Sequence, residues 1–465
     1  MMRPAPASTS GADVNARGAW RIVALIAAVA VAVRLGALFA HRHLSLDDGA
    51  YGVSTADMRH GLLPYRDLFA SQGPLHFPLL FLGDALGLHA VNAPRVAPFL
   101  AGVAVALGVW AAARRLGSAP SPALIAALLA ATTGSILWTT GPVSADGLAA
   151  AFTIWAVWAA LVFRDSPRAG WALLSGALAG GALATKPLMF PALIAIAWWL
   201  WSRRRVTDVA WAAGGAIAVW FASAVPWGLG RVWSQSIAFH MDKHRQSGPI
   251  TQLGKLTTTM LSRDLVLLGV LALVVAAVWR KCAGQPARRS DQIVLVVWTG
   301  VLIIVLIGQT LLLVSHIAAL VLPLTLLFAI APPPMRWLVV ALIVLVPIQA
   351  YQLSDIVFPS GYRGADAEVV RALRQLPPGA RAMSDIGGLV WQAGRITPPQ
   401  MNDNSNARIS TGRETTATVL NAAVDPRTCA AVIWSFRWAD ELPGLREGLR
   451  ARGYSLAREW APDRQ

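Results

Sequence analysis

Residues 45–78, SLDDGAYGVSTADMRHGLLPYRDLFASQGPLHFP, carry two adjacent aspartates, Asp47 and Asp48, followed by Asp57, Arg59, His60, Arg66, Asp67 and His76. Further ionisable residues stand alone in apolar surroundings: Asp146, Lys186, the run HMDKHR at 240–245, which includes Lys243 and Arg245, then Lys255 and His316. A charge at the centre of a membrane-spanning helix costs roughly 2.5–3.5 kcal/mol on insertion scales, and the central stretches of most apolar segments here are free of charge. Carboxylates, imidazoles and ammonium groups held at one face of an apolar body suit a site that handles a polar headgroup. Spacing alone leaves a second reading for the acids: Asp47 and Asp48 can cap the helix that follows Leu44-Ser45-Leu46, and Asp146 the helix after GPVSA. His240 and His244 can share one helix face and hold a metal with Asp242, but a solvated interfacial run is the favoured reading and no metal is assigned.

The elements that must position these residues are membrane helices. Apolar residues make up 55% of the 465-residue chain and charged ones only 14%, far from the soluble globular range. Residues 1–18 read as a cytoplasmic leader, and Trp20–Ala40 as a retained anchor. Further spans are expected near 91–113, 120–138, 143–164, 169–185, 187–202, 207–226, 264–280, 291–313, 316–330 and 335–351, about eleven in all. Arg114, Arg115, Arg164, Arg168, Arg203 to Arg205, Arg280, Lys281, Arg288, Arg289 and Arg336 fall on alternate loops, which the positive-inside rule makes cytoplasmic. The first loop (41–90), the large loop (227–263) and everything beyond 352 then face outward. Topology accounts for much of the net charge of +16, so no nucleic-acid partner is expected. Cys282 and Cys429 fall on opposite sides and cannot pair.

Beyond residue 351 the composition changes. GADAEVVRALRQLPPGARAMSDIGGLVW reads as an amphipathic helix, a Pro-Gly turn and a short strand, CAAVIWS as a buried strand, Asp440 to Arg452 as a helix and YSLAREW as a further strand. Residues 352–465 are expected to form a small α/β domain that orients an acceptor without supplying catalytic groups. It carries no phosphate-binding glycine loop, zinc spacing or nucleophile elbow.

DDGAY followed by GLLPYRDLFASQGPL resembles the first extracytoplasmic loop of the C-type glycosyltransferases, nearest to the branch of the protein O-mannosyltransferases and lipid A aminoarabinose transferases. Asp47, Asp48 and Tyr51 match the acidic pair and tyrosine that open that loop. Gly61, Pro64, Tyr65, Asp67, Pro74 and Leu75 resemble the elements that close it. VSADGLAAAF places Asp146 at the family's second-loop acid, and GALATKPLMF resembles its Gly-Thr-Lys-Pro element. Over residues 19–351 the resemblance implies a C-type transmembrane catalytic bundle with no cofactor and no nucleotide sugar. It implies transfer of a sugar from a polyprenyl-phosphate donor to an outer acceptor (glycan, lipid or protein) with inversion, in contact with membrane lipid. Asp47 would be the general base, and Asp48 would raise its basicity or bind substrate hydroxyls.

A leaving polyprenyl phosphate needs a cation at the interface. Lys186 is the best placed of only four lysines, although snorkelling between two short spans would also account for it. Tyr51, Arg59, Tyr65, Arg66, Asp146, Lys243, Arg245 and His316 are the other candidates for donor phosphate or substrate. The chain departs from the aminoarabinose-transferase pattern at Ser71-Gln72-Gly73, where those relatives carry Glu-Lys, so a cation from elsewhere must replace that lysine. A lipid or glycan transporter is the alternative class, and it would need polar groups lining a path through the membrane.

Overall fold

Each apolar segment expected to span contains a helix in the computed structural model, which describes residues 11–88, 90–243, 247–281, 286–310 and 312–459, without the side chains of 11–17, 277–281 and 286–288. The first is α1 (Gly11–Leu38), which packs through Ile26 and Ala30 against Ala106, Ala127 and Ala131. The loop that follows holds α2 (Leu46–Arg59) and two short helices, α3 (His76–Leu80) and α4 (Leu82–Ala85). Then come α5 (Val96–Arg115), the pair α6 (Pro120–Thr132) and α7 (Gly134–Thr140), α8 (Ala145–Asp165), α9 (Ala169–Thr185), α10 (Ala192–Leu200) and α11 (Val206–Ala224). Short turns α12 (Leu229–Val232) and α13 (Phe239–Met241) lead to α14 (Pro249–Arg263), α15 (Leu265–Lys281), α16 (Pro286–Gly308), α17 (Ala318–Ile330) and α18 (Met335–Gln352).

The expected number of spans is not reproduced by length. Among the described residues six helices are long and apolar enough to cross a membrane, or eight if each of two bent pairs is one span. One bent pair, α6 and α7, breaks by 55° at Thr133, and the other, α14 and α15, by 106° at Asp264. Asp264 secures both breaks, because its carboxylate accepts the Ser135 backbone N–H at 2.9 Å and the Ser135 hydroxyl at the start of α7. The segment expected at 187–202 holds only the nine-residue α10 between two 3₁₀ turns. The chain is a polytopic helical membrane protein.

Small residues set the tightest packing. α9 lies on α11 with Gly176 against the Ala212 carbonyl and Gly180 against that of Ala216, where a Cβ would come within 1.8 and 2.4 Å. Such close backbone approach replaces the hydrophobic drive that lipid removes. The arginine-rich ends of α5 and α8 meet at the other end of the bundle, where Arg164 binds the Arg115 carbonyl (2.8 Å) and Asp291 (3.0 Å).

After α19 (Ser354–Val357), residues 364–459 form α20 (Gly364–Arg374), strand β1 (Arg381–Ser384), α21 (Gly387–Gln392), α22 (Asn406–Ser410), α23 (Thr416–Ala422), strand β2 (Thr428–Val432), α24 (Phe436–Ala439) and α25 (Leu445–Ala451). The two strands pair in parallel. β2 is mostly half-exposed and not the buried strand expected, and residues 454–459 form no strand. The tail shares a core with the first loop: Val369, Val370, Leu389, Val390 and Trp391 pack with Tyr51, Val53 and Tyr65. A second core inside the tail holds Met383, Val419, Trp438 and Leu445.

Candidate active site

Asp47 and Asp48 fall in the first turn of α2, but neither carboxylate caps it. Ser45 does, its hydroxyl accepting the Asp48 backbone N–H at 3.1 Å. Asp48 is fully buried. Its carboxylate meets the Arg95 guanidinium at 2.6 and 3.2 Å and accepts backbone N–H groups of Leu44 (2.7 Å) and Val143 (2.7 Å). Arg95 also donates to the carbonyls of Ala37, Ala40 and Arg42. This pair ties α1, α2, α5 and the approach to α8 together. The geometry therefore corrects the expectation for Asp48: its oxygens are consumed structurally and are turned to Arg95 rather than to substrate.

Asp47 keeps its carboxylate for the site, with no hydrogen-bond partner among the described residues. Burial pushes its pKa up to about 6, while Lys186 pulls it down and Asp146 and Asp403 raise it. Asp146 and Asp403 are thus the acids that raise it, across the fold from α8 and the tail. Lys186 follows the end of α9 and lies 3.4 Å from Asp146 at the start of α8, with both side chains nearly buried. Its position is set by the first loop: Gly73 and Leu75 donate backbone N–H bonds to the carbonyls of Thr185 and Ala184. Ser71-Gln72-Gly73 thereby places Lys186 instead of carrying a cation.

Lys243 reaches the site from the large loop. Its ammonium donates to His240 Nδ1 (2.8 Å), and His240 Nε2 donates to the Ser71 carbonyl (2.8 Å). Burial and the nearby Lys186 push Lys243 down to about 8, and burial holds His240 neutral, near 3. Asp242 instead pairs with Arg413 of the tail at 2.9 Å. The run at 240–243 is tied to the first loop and the tail, while His240, Met241 and Asp242 remain exposed, as a solvated interfacial run would be. His244 and Arg245 lie outside the described residues, as do Cys282 and residues 1–10 of the leader. Among the described residues no group of three or more His, Cys, Asp or Glu is arranged to hold a metal.

The remaining candidates divide. Tyr51 lies beside Asp47, its hydroxyl accepting from Gln72 Nε2 at 2.6 Å and its ring edge-on to His76, 4.7 Å between centroids. His316 stands in the field of Asp146 and Lys186 and bonds Gln309 at 2.6 Å. Three others do structural work. Tyr65, in left-handed backbone at φ 63°, donates to the Gln72 carbonyl (2.6 Å); Arg59 pairs with Asp84 (2.7 Å) and exposed Arg66 with Asp67 (2.8 Å). An apolar cavity of about 260 Å³ opens between α5, α8 and α9, lined by Leu79, Leu148, Phe152, Trp155 and Leu178 among others. It begins within one helical turn of Asp146.

Sequence reasoning missed Asp403. It stands in MNDNS, a polar loop with no motif, yet it faces Asp47 and Lys243 and lies 3.4 Å from the Ser71 hydroxyl. The loop is stitched to the first loop: Asn402 bonds Ser54 Oγ and both backbone groups of Phe69, and the Gln400 N–H donates to the Asp67 carbonyl.

Residues 71–228 match the profile of the dolichyl-phosphate-mannose-protein mannosyltransferases. ArnT from Cupriavidus metallidurans, solved bound to undecaprenyl phosphate, superposes with a TM-score of 0.65 at 16% identity, over 91% of this chain and 94% of that one. The archaeal oligosaccharyltransferase AglB from Archaeoglobus fulgidus, solved with an inhibitory peptide and a dolichol-phosphate, gives 0.57 at 12% identity, over 93% and 71%. The arabinofuranosyltransferase AftD from Mycobacteria gives 0.52 at 18% identity, over 87% of this chain and 33% of that one. No curated protein sequence matches the chain. The fold is that of the C-type glycosyltransferases. Within that class the chain resembles ArnT along nearly the whole length of both, and the protein mannosyltransferases over residues 71–228.

Proposed function

We propose that the chain is a membrane glycosyltransferase that moves a hexosyl or pentosyl group from a polyprenyl-phosphate donor to a cell-envelope glycan, lipid or protein, with inversion. The observation that carries this reading is the Asp47 carboxylate, without a hydrogen-bond partner among the described residues and in the field of the Asp146–Lys186 pair and Lys243. Asp47 takes the acceptor hydroxyl proton as that oxygen bonds to the anomeric carbon. The bond from that carbon to the phosphate oxygen breaks, and its electron pair leaves with the polyprenyl phosphate, whose charge Lys186 neutralises. Asp146 holds the Lys186 ammonium at this position. The apolar cavity beside α8 suits the donor's hydrocarbon chain. The polyprenyl phosphates bound in ArnT and AglB support a lipid-linked donor here.

The site lies at the bundle end opposite Arg115, Arg164 and Asp291, so the positive-inside rule puts the site and the tail outside the inner or plasma membrane. A transporter is not favoured. Arg34, a buried cation within α1, is held by Thr140 (2.8 Å) and the Ala30 carbonyl (2.8 Å) and packs against Gly102. The test is a screen of polyprenyl phosphates carrying different radiolabelled sugars, with purified protein and envelope extract. Label should enter the extract from one donor class and not from nucleotide sugars. Transfer from nucleotide sugars alone, or from no donor, would reject the reading.

A further inference from the structure

The charged groups around Asp47 form two sets. Asp146 lies in the first turn of α8 and Lys186 follows the end of α9, and Leu148, two residues beyond Asp146, lines the apolar cavity. Asp403 belongs to the tail, and with Lys243 of the large loop it stands over Ser71. Asp47 lies in the field of members of both sets, Lys186 and Asp146 from the bundle and Asp403 and Lys243 from the tail and large loop, and Lys186 acts on Lys243 as well. Asp403 is buried, with 7% of its surface open. One oxygen accepts the Ser405 N–H at 3.1 Å, and among the described residues the other has only the long 3.4 Å contact from Ser71.

An inverting displacement needs the nucleophile on the face of the sugar opposite the leaving phosphate. If the phosphate sits at Lys186, the acceptor must reach Asp47 from the other set. We infer that Asp403, carried into the site by the tail, is a specificity-determining residue that binds a hydroxyl of the acceptor next to the one Asp47 deprotonates. The inference rests on the transferase reading above. It names the residue through which the tail recognises or orients the acceptor without supplying a catalytic group. A carboxylate oxygen with spare acceptor capacity suits a polyol, and Lys243 can donate to a neighbouring oxygen of the same ligand.

The variant Asp403→Asn keeps an oxygen for the Ser405 N–H and removes the charge. Two probes are read on the full chain in lipid: binding of undecaprenyl phosphate, by tryptophan fluorescence, and transfer of labelled sugar from its donor into envelope extract. The expected result is a rise of about tenfold or more in the extract needed for half-maximal transfer, with undecaprenyl phosphate affinity within about twofold of wild type. Lys186→Ala should show the opposite pattern. Unchanged demand for extract, or a loss of undecaprenyl phosphate affinity matching Lys186→Ala, overturns the inference while leaving the transferase reading standing. A wild-type chain that transfers no sugar defeats the reading itself and the inference with it. If Asp403→Asn does not insert, Asp403→Glu, which moves the charge by one methylene, is expected to raise acceptor demand in the same assay.

Discussion

At Asp48 both carboxylate oxygens are committed to Arg95, Leu44 and Val143, whereas Asp47, one residue earlier, keeps its oxygens for the site. The two should fail differently. Asp48→Asn leaves Arg95 buried without its counter-charge and should cost about 3–5 kcal/mol, seen as lost folded protein in detergent rather than as a changed KM. Asp47 must be ionised to accept a proton, and burial places its pKa at about 6. Transfer should therefore fall as pH drops through about 6, roughly tenfold per pH unit below it, where an ordinary aspartate would put that fall near 4. An acid limb near 4 in the kcat/KM profile would show that Asp47 is not the group that titrates. The adjacency of the two acids and their place before a helix were legible in the sequence. Their opposite directions were not, because Arg95 and Val143 are distant in the chain and share no pattern with Asp48.

Among the elements, α9 and the first loop show how backbone contacts position a charge. Gly73 approaches so closely that a Cβ would stand 2.2 Å from the Ala184 carbonyl, and the loop's N–H groups bond the end of α9 just before Lys186. Gly73→Ala should force the two apart. We expect a stability loss of about 1–3 kcal/mol, with transfer depressed more than Lys186-independent properties such as insertion. Wild-type transfer by this variant would show that the contact does not place Lys186. Helices of even apolarity such as α5, α8 and α16 were legible from length and composition. The breaks at Thr133 and Asp264 were not, since Asp264 makes them by bonding Ser135, which is far away in the sequence.

For the whole molecule, the first loop, the large loop and the tail close over one end of the bundle, and the arginine-rich helix ends lie at the other. Cys429 is exposed on the tail. In intact cells, with Cys282 replaced by Ser, an impermeant maleimide should label Cys429 but not a cysteine introduced at Arg205, and the reverse pattern would invert the orientation. The tail's helix and two strands were readable from local patterning, but its junction with the first loop was not. That junction is made by Asn402, Asp403 and Thr397, polar loop residues whose partners Ser54, Ser71 and Asp57 lie more than three hundred positions earlier. The most direct test of the account compares wild type with Asp47→Asn, purified in lipid, for undecaprenyl phosphate binding and for transfer of labelled sugar from a polyprenyl-phosphate donor. Asn keeps the size of the side chain, and Ser45 still caps the helix, so insertion and binding should hold while transfer falls by about 10²–10⁴. Near-wild-type turnover in the variant, with undecaprenyl phosphate bound as tightly as by wild type, would contradict the assignment of Asp47 as the general base.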